Sequence, residues 1–296
     1  MTNPDIMADR IRPLTPREFE KIRRLAYDKF GLDLRSGKEE LVSARLRKKV
    51  HARGLRTFQE YYDYVLGDPT GSAIEEMIDA LTTNYTSFFR EQVHFDLLRN
   101  AIAPALASKT GIQIWSAACA TGEEPYTIAI CLADALGPEQ ASRIRILATD
   151  ISNRALDTAR KGAYPAGHFD NFPKDGMRRH LLKGAKQWEG WYRIKPEIRE
   201  MVEFRRLNLT EPLRKIPKVF VIFCRNVMIY FDKATQESLV ERLAERLLPG
   251  GYLLTGHSES LVGSNHALEY VQPAVYRKTA GRMDGAGRAK EGKCGR

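Results

Sequence analysis

The chain has 296 residues, 43% hydrophobic and 28% charged, with a formal net charge of +10. Those figures describe a globular chain long enough for two domains and exclude a fibrous or wholly disordered one. No apolar run reaches the roughly 20 residues of a membrane-spanning helix, so a cytoplasmic protein without membrane insertion is expected, and the excess positive charge favours an anionic partner.

The N-terminus, MTNPDIMADRIRPL, has no apolar core of the kind a secretory signal needs. Cys119, Cys131, Cys224 and Cys294 show no CxxC spacing, so reduced thiols and no metal are expected. Residues 1–83 read as a four-helix domain. Thr15-Pro16-Arg17-Glu18 is a capping box with proline at the first helical position, and Thr57-Phe58-Gln59-Glu60 and Ser72-Ala73-Ile74-Glu75 repeat the Ser/Thr-x-x-Glu pattern. Gly31, Gly54 and Gly67 are stop signals. Between Leu41 and Gln59 lie six basic residues and no acidic one. Arg45, Lys48 and Lys49 fall on one helical face, with Arg53 one turn on, beside an apolar edge of Val42, Leu46 and Val50. A one-signed block of this kind is a candidate docking surface for an acidic partner.

Residues 84–110 are expected to form a linker helix and a lid. The segment LTTNYTSFFRE, Leu81–Glu91, sets Asn84, Thr86 and Arg90 among Tyr85, Phe88 and Phe89. From residue 111 to 278 the pattern becomes α/β. Strands are expected at Ile112–Ala118, Arg143–Asp150, Met201–Leu209, Lys218–Asn226, Tyr252–Gly256 and Ala274–Thr279. Helices are expected at Pro125–Leu136, Ser152–Gly162 and Lys233–Gly251. Alternating strands and helices predict a doubly wound, mostly parallel sheet covered on both faces. The last two strands lack a helix between them, which predicts an antiparallel edge. Residues 163–200 interrupt the alternation and hold a possible strand at Gly190–Ile194, so they read as an inserted small subdomain. Residues 279–296 have little to bury and are expected to be a disordered tail.

Ligands of open α/β sheets bind beyond the carboxyl ends of the strands. At those ends lie Ala120-Thr121-Gly122-Glu123-Glu124, Asp150, Asn208-Leu209, Arg225-Asn226 and then Tyr230. The first turn is neither GxGxxG nor GxxxxGK[ST], and its two acids would repel a pyrophosphate. The set suits a ligand with an ammonium group and ribose hydroxyls but no phosphate. Asp150 is placed to accept from a ribose diol, Glu124 to accept from an ammonium, and Ala117, Ala118 and Gly122 permit close approach to the backbone. S-adenosyl-L-methionine has those features, its product being S-adenosyl-L-homocysteine.

LTTNYTSFFRE, WSAACATGEEPYTIAI, ATDIS, IFCRNVMIYFD and LLPGGYLLTGHSE together resemble the CheR-type chemotaxis receptor glutamate methyltransferases, over about Arg17 to Lys278. The resemblance implies an N-terminal helical domain and a Rossmann-like methyltransferase sheet carrying a small β-subdomain insertion. It implies methyl transfer to glutamate carboxylates of a methyl-accepting chemotaxis receptor, whose glutamate-rich helical bundle would meet the basic face. By matching motif, Asn84, Thr86, Arg90, Glu124, Asp150, Asn208, Leu209, Arg225 and Asn226 resemble cofactor contacts, and Arg90 and Tyr230 the residues nearest the transferred methyl. Some family members also grip a receptor's C-terminal tether peptide with the insertion. A monomer is the default expectation. Two other classes are weighed against this one. A nucleic-acid methyltransferase acting on amino groups would show (D/N)PP(Y/F) after the fourth strand, where this chain has Cys224-Arg225-Asn226-Val227. A non-catalytic S-adenosylmethionine-binding adaptor would not need Arg90 and Tyr230.

Overall fold

The computed structural model describes residues 11–83, 85–261 and 266–279. Asn84, Cys294 and the expected tail beyond Thr279 lie outside the described residues. The N-terminal helices are α1 (Pro16–Phe30), α2 (Glu39–Ala52), α3 (Phe58–Gly67) and α4 (Ser72–Leu81). The capping boxes at Thr15/Glu18 and Thr57/Glu60 form with both reciprocal bonds, and each cap stabilises its helix by about 1 kcal/mol. At α4 the expectation fails, because Ser72 is the first helical residue and makes no cap. Asp68 takes over, its Oδ2 accepting from the Ala73 amide at 2.6 Å while Gly71 turns the chain at φ +73. Ile22, Val42, Leu46, Phe58 and Met77 fill the domain's core and are fully buried.

The second domain is a seven-stranded sheet in the order β6-β2-β1-β7-β8-β10-β9. Its strands are β1 (Gly111–Ala117), β2 (Ile144–Asp150), β6 (Val202–Arg206), β7 (Val219–Cys224), β8 (Leu247–Thr255), β9 (Leu268–Gln272) and β10 (Val275–Lys278). Pairing is parallel from β6 to β8 and antiparallel at β10 and β9. Neighbouring strand residues face opposite sides. Ile114 joins the core under helix Glu123–Leu136, whereas Trp115 joins the core under helix Lys233–Arg246. That last helix stops at Arg246, five residues before the expected Gly251. Pro249 disfavours helical backbone in the residue before it, and Leu247 is already extended and starts β8. β9 was not expected; it pairs with β10 as a hairpin through Ala274 at φ +61.

The insertion folds as a separate antiparallel sheet in the order β3-β5-β4, from β3 (Ala163–Pro165), β4 (Leu181–Lys183) and β5 (Trp191–Ile194). The helical domain is seated on the carboxyl ends of the large sheet. Leu32 bridges to Phe231, the Asp33 amide donates to the Tyr230 carbonyl at 2.8 Å, and Tyr27 Oη donates to Asp232 at 2.8 Å. Glu75 of α4 accepts from Arg206 at 2.7 Å and Asn153 at 2.8 Å. The chain crosses from β1 to β2 and β6 on one side, then returns to β7 on the other. The topological switch point therefore lies between β1 and β7, under the helical domain.

Candidate active site

The turn after β1 is wound unusually tightly. Ala118, Ala120 and Gly122 have φ of +63, +46 and +98. The left-handed region costs an L-residue roughly 1–2 kcal/mol, so the alanines are held there by their surroundings. The Ala120 amide donates to Asp150 Oδ2 at 2.8 Å. Gly122 is required twice over, since a Cβ there would come within 2.7 Å of Ala159 Cβ. Phe89, Glu91 and Asn226 also have positive φ, so strained backbone gathers in the segments that build one cleft.

The two acids after this turn point apart, being about 100° apart around the helix. Glu123 is fully buried, accepts from Thr121 Oγ1 at 2.7 Å and lies 3.0 Å from His168 Nδ1; burial pushes its carboxyl above the usual range. Glu124 faces the cleft, accepting from Ser116 Oγ at 2.7 Å and from Arg225 Nη1 at 2.9 Å. Arg225, only 5% exposed, also pairs with Glu91 at 3.0 Å and donates to the Arg90 carbonyl. Burial pushes the Glu91 carboxyl up, but Arg225 and the His257 amide outweigh it and hold it below its usual value. Glu91, His94 and His257 bring ligand atoms within 4.8 Å of one another, but the Arg225 guanidinium already occupies the cation's place on Glu91 Oε2.

Two contiguous cavities occupy the cleft, sharing Thr82, Ala118, Asp150, Ile151, Val227 and Tyr230. The first is an apolar slot walled by Phe30, Leu32 and Ile78 of the helical domain and by Leu207, Leu209 and Phe231 of the sheet domain. The second is a polar chamber walled by Thr83, Tyr85, Thr86, Arg90, Ala120, Glu124, Arg225 and Asn226. Asp150 stands where they meet. Its oxygens accept from the Ala120 and Ser152 amides, which uses two of about four lone-pair positions. Burial pushes its carboxyl up.

Asn208 lines the slot, but its amide also ties the domains together, donating to the Lys29 carbonyl at 2.9 Å and accepting from Thr210. Among the described residues, the Arg90 side chain donates from Nη1 to the Tyr85 carbonyl at 3.1 Å. Tyr230 Oη accepts from the Thr83 amide at 3.1 Å and lies 3.2 Å from its carbonyl. Thr86 and Leu209 line the polar and apolar parts respectively; Asn84 is not among the described residues. The basic residues of α2 line neither cavity and are partly satisfied from within. Arg45 donates to the Leu81 carbonyl and, at 2.7 Å, to Thr83 Oγ1, and Lys49 and Arg53 pair with Glu76 at 3.3 and 2.8 Å. Lys48 is exposed. Sequence reasoning missed Phe30, Leu32, Ile78 and Glu91. The first three carry the same periodic apolar signal as any core position, and Glu91 becomes legible only beside Arg225.

Residues 84–277 match the family model described as CheR methyltransferase, SAM binding domain, and residues 17–82 match CheR methyltransferase, all-alpha domain. The chain belongs to the CheR methyltransferase family. It is 38% identical over 275 residues to the chemotaxis protein methyltransferase of Borreliella burgdorferi, covering 90% of this chain and 95% of that one. It is 40% identical over 263 residues to chemotaxis protein methyltransferase 2 of Pseudomonas aeruginosa, covering 88% and 93%. The cofactor of this CheR-family chain is S-adenosyl-L-methionine, and the cleft suits it. The slot is lined mostly by apolar side chains, Asp150 keeps lone pairs beyond those on the Ala120 and Ser152 amides, and among the described residues the polar chamber is lined by acids and arginines without a lysine. Among the described residues, no helix is long and apolar enough to cross a membrane.

Proposed function

We propose that the chain transfers the methyl group of S-adenosyl-L-methionine to glutamate side-chain carboxylates of methyl-accepting chemotaxis receptors, forming glutamate methyl esters. The observation that carries this reading is the make-up of the polar chamber. Arg90, with donors to spare, stands with Tyr230 at its wall, and among the described residues no histidine lines it. Cys119 borders it too, but its side chain is buried, and burial pushes that thiol well above its usual range. A chamber with an orienting cation, whose carboxylates Glu124 and Asp150 already accept from Ser116, Arg225 and the Ala120 and Ser152 amides, fits a substrate that arrives ionised. A glutamate, with a side-chain pKa of about 4.3, does so near neutral pH.

The cofactor supplies an electrophilic methyl group on a sulfonium. Arg90 orients the receptor carboxylate. A carboxylate oxygen lone pair would take that methyl, with the carbon–sulfur pair returning to sulfur to leave S-adenosyl-L-homocysteine. No proton moves. Holding the carboxylate in line contributes on the order of 7–11 kcal/mol. Sharing Arg90 with the Tyr85 carbonyl leaves the carboxylate nucleophilic, and the Tyr230 ring would offer its face to the sulfonium charge. In this reading Thr86, Asn226 and Glu124 hold the amino-acid end with Arg225, Asp150 holds the ribose, and Asn208 and Leu209 border the purine; Asn84 is assigned with them by its motif.

The receptor partner is met at two places. The face of α2 carrying Arg45, Lys48, Lys49 and Arg53 docks an acidic helical bundle, with Lys48 its most available charge. The small subdomain offers a second hold for a receptor tether peptide, supported by a concavity of Leu182, Trp188 and Trp191 rimmed by Lys161, Lys183 and Arg193. The chain acts as a cytoplasmic monomer on the membrane-borne receptor. Incubation with methyl-labelled cofactor and receptor-bearing membranes, followed by mild alkali, tests the reaction. Labelled methanol is expected. Alkali-stable label in nucleic acid would favour a nucleic-acid methyltransferase, and cofactor binding without any transfer would favour an adaptor.

A further inference from the structure

Glu259 lies outside both cavities. It follows β8 in a turn whose own amide donates to the Gly256 carbonyl at 2.9 Å. Its side chain is 7% exposed, and no cation pairs with it among the described residues. Its carboxylate instead gathers backbone amides. Oε2 accepts from Asn226 at 2.7 Å and from Gly256 at 2.7 Å, and Oε1 accepts from Ile229 at 3.2 Å. Asn226 and Ile229 belong to the segment that leaves β7 and ends in Tyr230. That segment needs such a hold, because Asn226 sits at φ +57 and the turn Met228–Tyr230 is a single short 3₁₀ turn whose first amides lack internal partners.

A carboxylate accepting several amides is a strong, directional anchor. The space around it is fitted to the same arrangement. A Cβ on Gly256 would lie 2.6 Å from Asn226 Nδ2 and 2.7 Å from Glu259 Oε2, so only glycine lets the turn close on the Asn226 segment. Thr255 Oγ1 donates to the Glu259 carbonyl at 3.0 Å and fixes the turn from its other side.

We infer that Glu259 is a positioning residue for cofactor binding, setting from outside the cleft where Asn226 and Tyr230 stand. The inference rests on the assignment of Asn226 to the cofactor's chamber and not on the identity of the methyl acceptor. Gln at position 259 keeps the shape but turns an N–H toward the amides that the carboxylate now receives.

Calorimetric titration of the full chain with S-adenosyl-L-homocysteine tests this without any receptor. Glu259→Gln is expected to weaken binding at least tenfold. Combined with Asn226→Ala the two losses should be clearly less than additive, since part of one residue's effect runs through the other. Val275→Ala, in the core of the same sheet edge, serves as a destabilised control and should bind normally. Gly256→Ala displaces the same anchor while keeping the carboxylate's charge. It should reproduce the tenfold loss, and it carries the test if the Gln variant does not fold. Wild-type affinity in Glu259→Gln or Gly256→Ala, or losses that add fully with Asn226→Ala, would overturn the inference. A wild-type chain that binds the homocysteine product yet methylates no receptor would refute the proposed reaction while leaving this test intact.

Discussion

The two ends of the cleft are built in different ways. The polar chamber takes most of its charged groups from strand ends and the helix start beyond them, on a single sheet: Glu124, Asp150 and Arg225. The apolar slot is shared, with Phe30, Leu32 and Ile78 closing it from a separate domain. A charged group needs a specified partner, so the polar end is fixed by a few pairings, any of which is costly to break. An apolar wall needs only volume, so its cost is spread over many contacts. The polar end should therefore fail sharply and respond to pH, and the apolar end should fail gradually and ignore pH.

The largest effect is expected at Arg225. Arg225→Ala would leave Glu91 and Glu124 facing each other without their shared cation, and removing one partner of a buried ion pair costs about 3–5 kcal/mol. Denaturant titration should show that loss. Asp150→Ala comes next. Hydrogen bonds to a charged group are each worth about 1.5–3 kcal/mol, so affinity for S-adenosyl-L-homocysteine should fall roughly ten- to hundredfold. Free adenosine should lose affinity as well, because the ribose is the part concerned.

The pH response follows from His94, packed behind the polar chamber against Glu91, Arg225 and His257. Among the described residues, neither ring nitrogen has a hydrogen-bond partner. Burial first, and Arg225 next, lower its pKa to about 4. The unfolded chain then binds the extra proton between about 6.5 and 4. Stability should be lost as pH falls through that window, by about 2 kcal/mol at pH 5. His94→Phe should flatten this slope in urea titrations at pH 7 and 5. At the apolar end, Ile78→Ala should weaken product binding only about fivefold, equally at both pH values, since it removes part of one face of the slot. The smallest effect is expected at the exposed Lys48, where Lys48→Glu should slow receptor methylation a few-fold at low salt and hardly at all at high salt. Product affinity should not change.

The same contrast explains what the sequence revealed. Capping boxes and strand periodicity are local signals, and the helical domain, the parallel sheet and its antiparallel edge follow from them. The acid at the end of β2 and the Arg-Asn pair after β7 are also local, so Asp150, Arg225 and Asn226 could be singled out. Position around a helix divides Glu123 from Glu124, and only the packing of the small subdomain decides which one turns inward. The helix that overshoots to Gly251 fails at Pro249, whose effect on the preceding residue is readable. β9 is harder to see, since LEYVQ lacks a clear alternation and is mostly exposed. The walls from Phe30, Leu32 and Ile78 could not be singled out, because a residue that closes a slot for another domain has the same spacing and chemistry as one that fills its own core.

The most direct test of the two-ended cleft is a crystal structure of the full chain with S-adenosyl-L-homocysteine. The account predicts the purine between Ile78 and Leu209, the ribose diol on Asp150 and the amino-acid end beside Glu124 and Arg225. A purine in the polar chamber, or a ligand bound wholly on the sheet domain away from Phe30, Leu32 and Ile78, would contradict it.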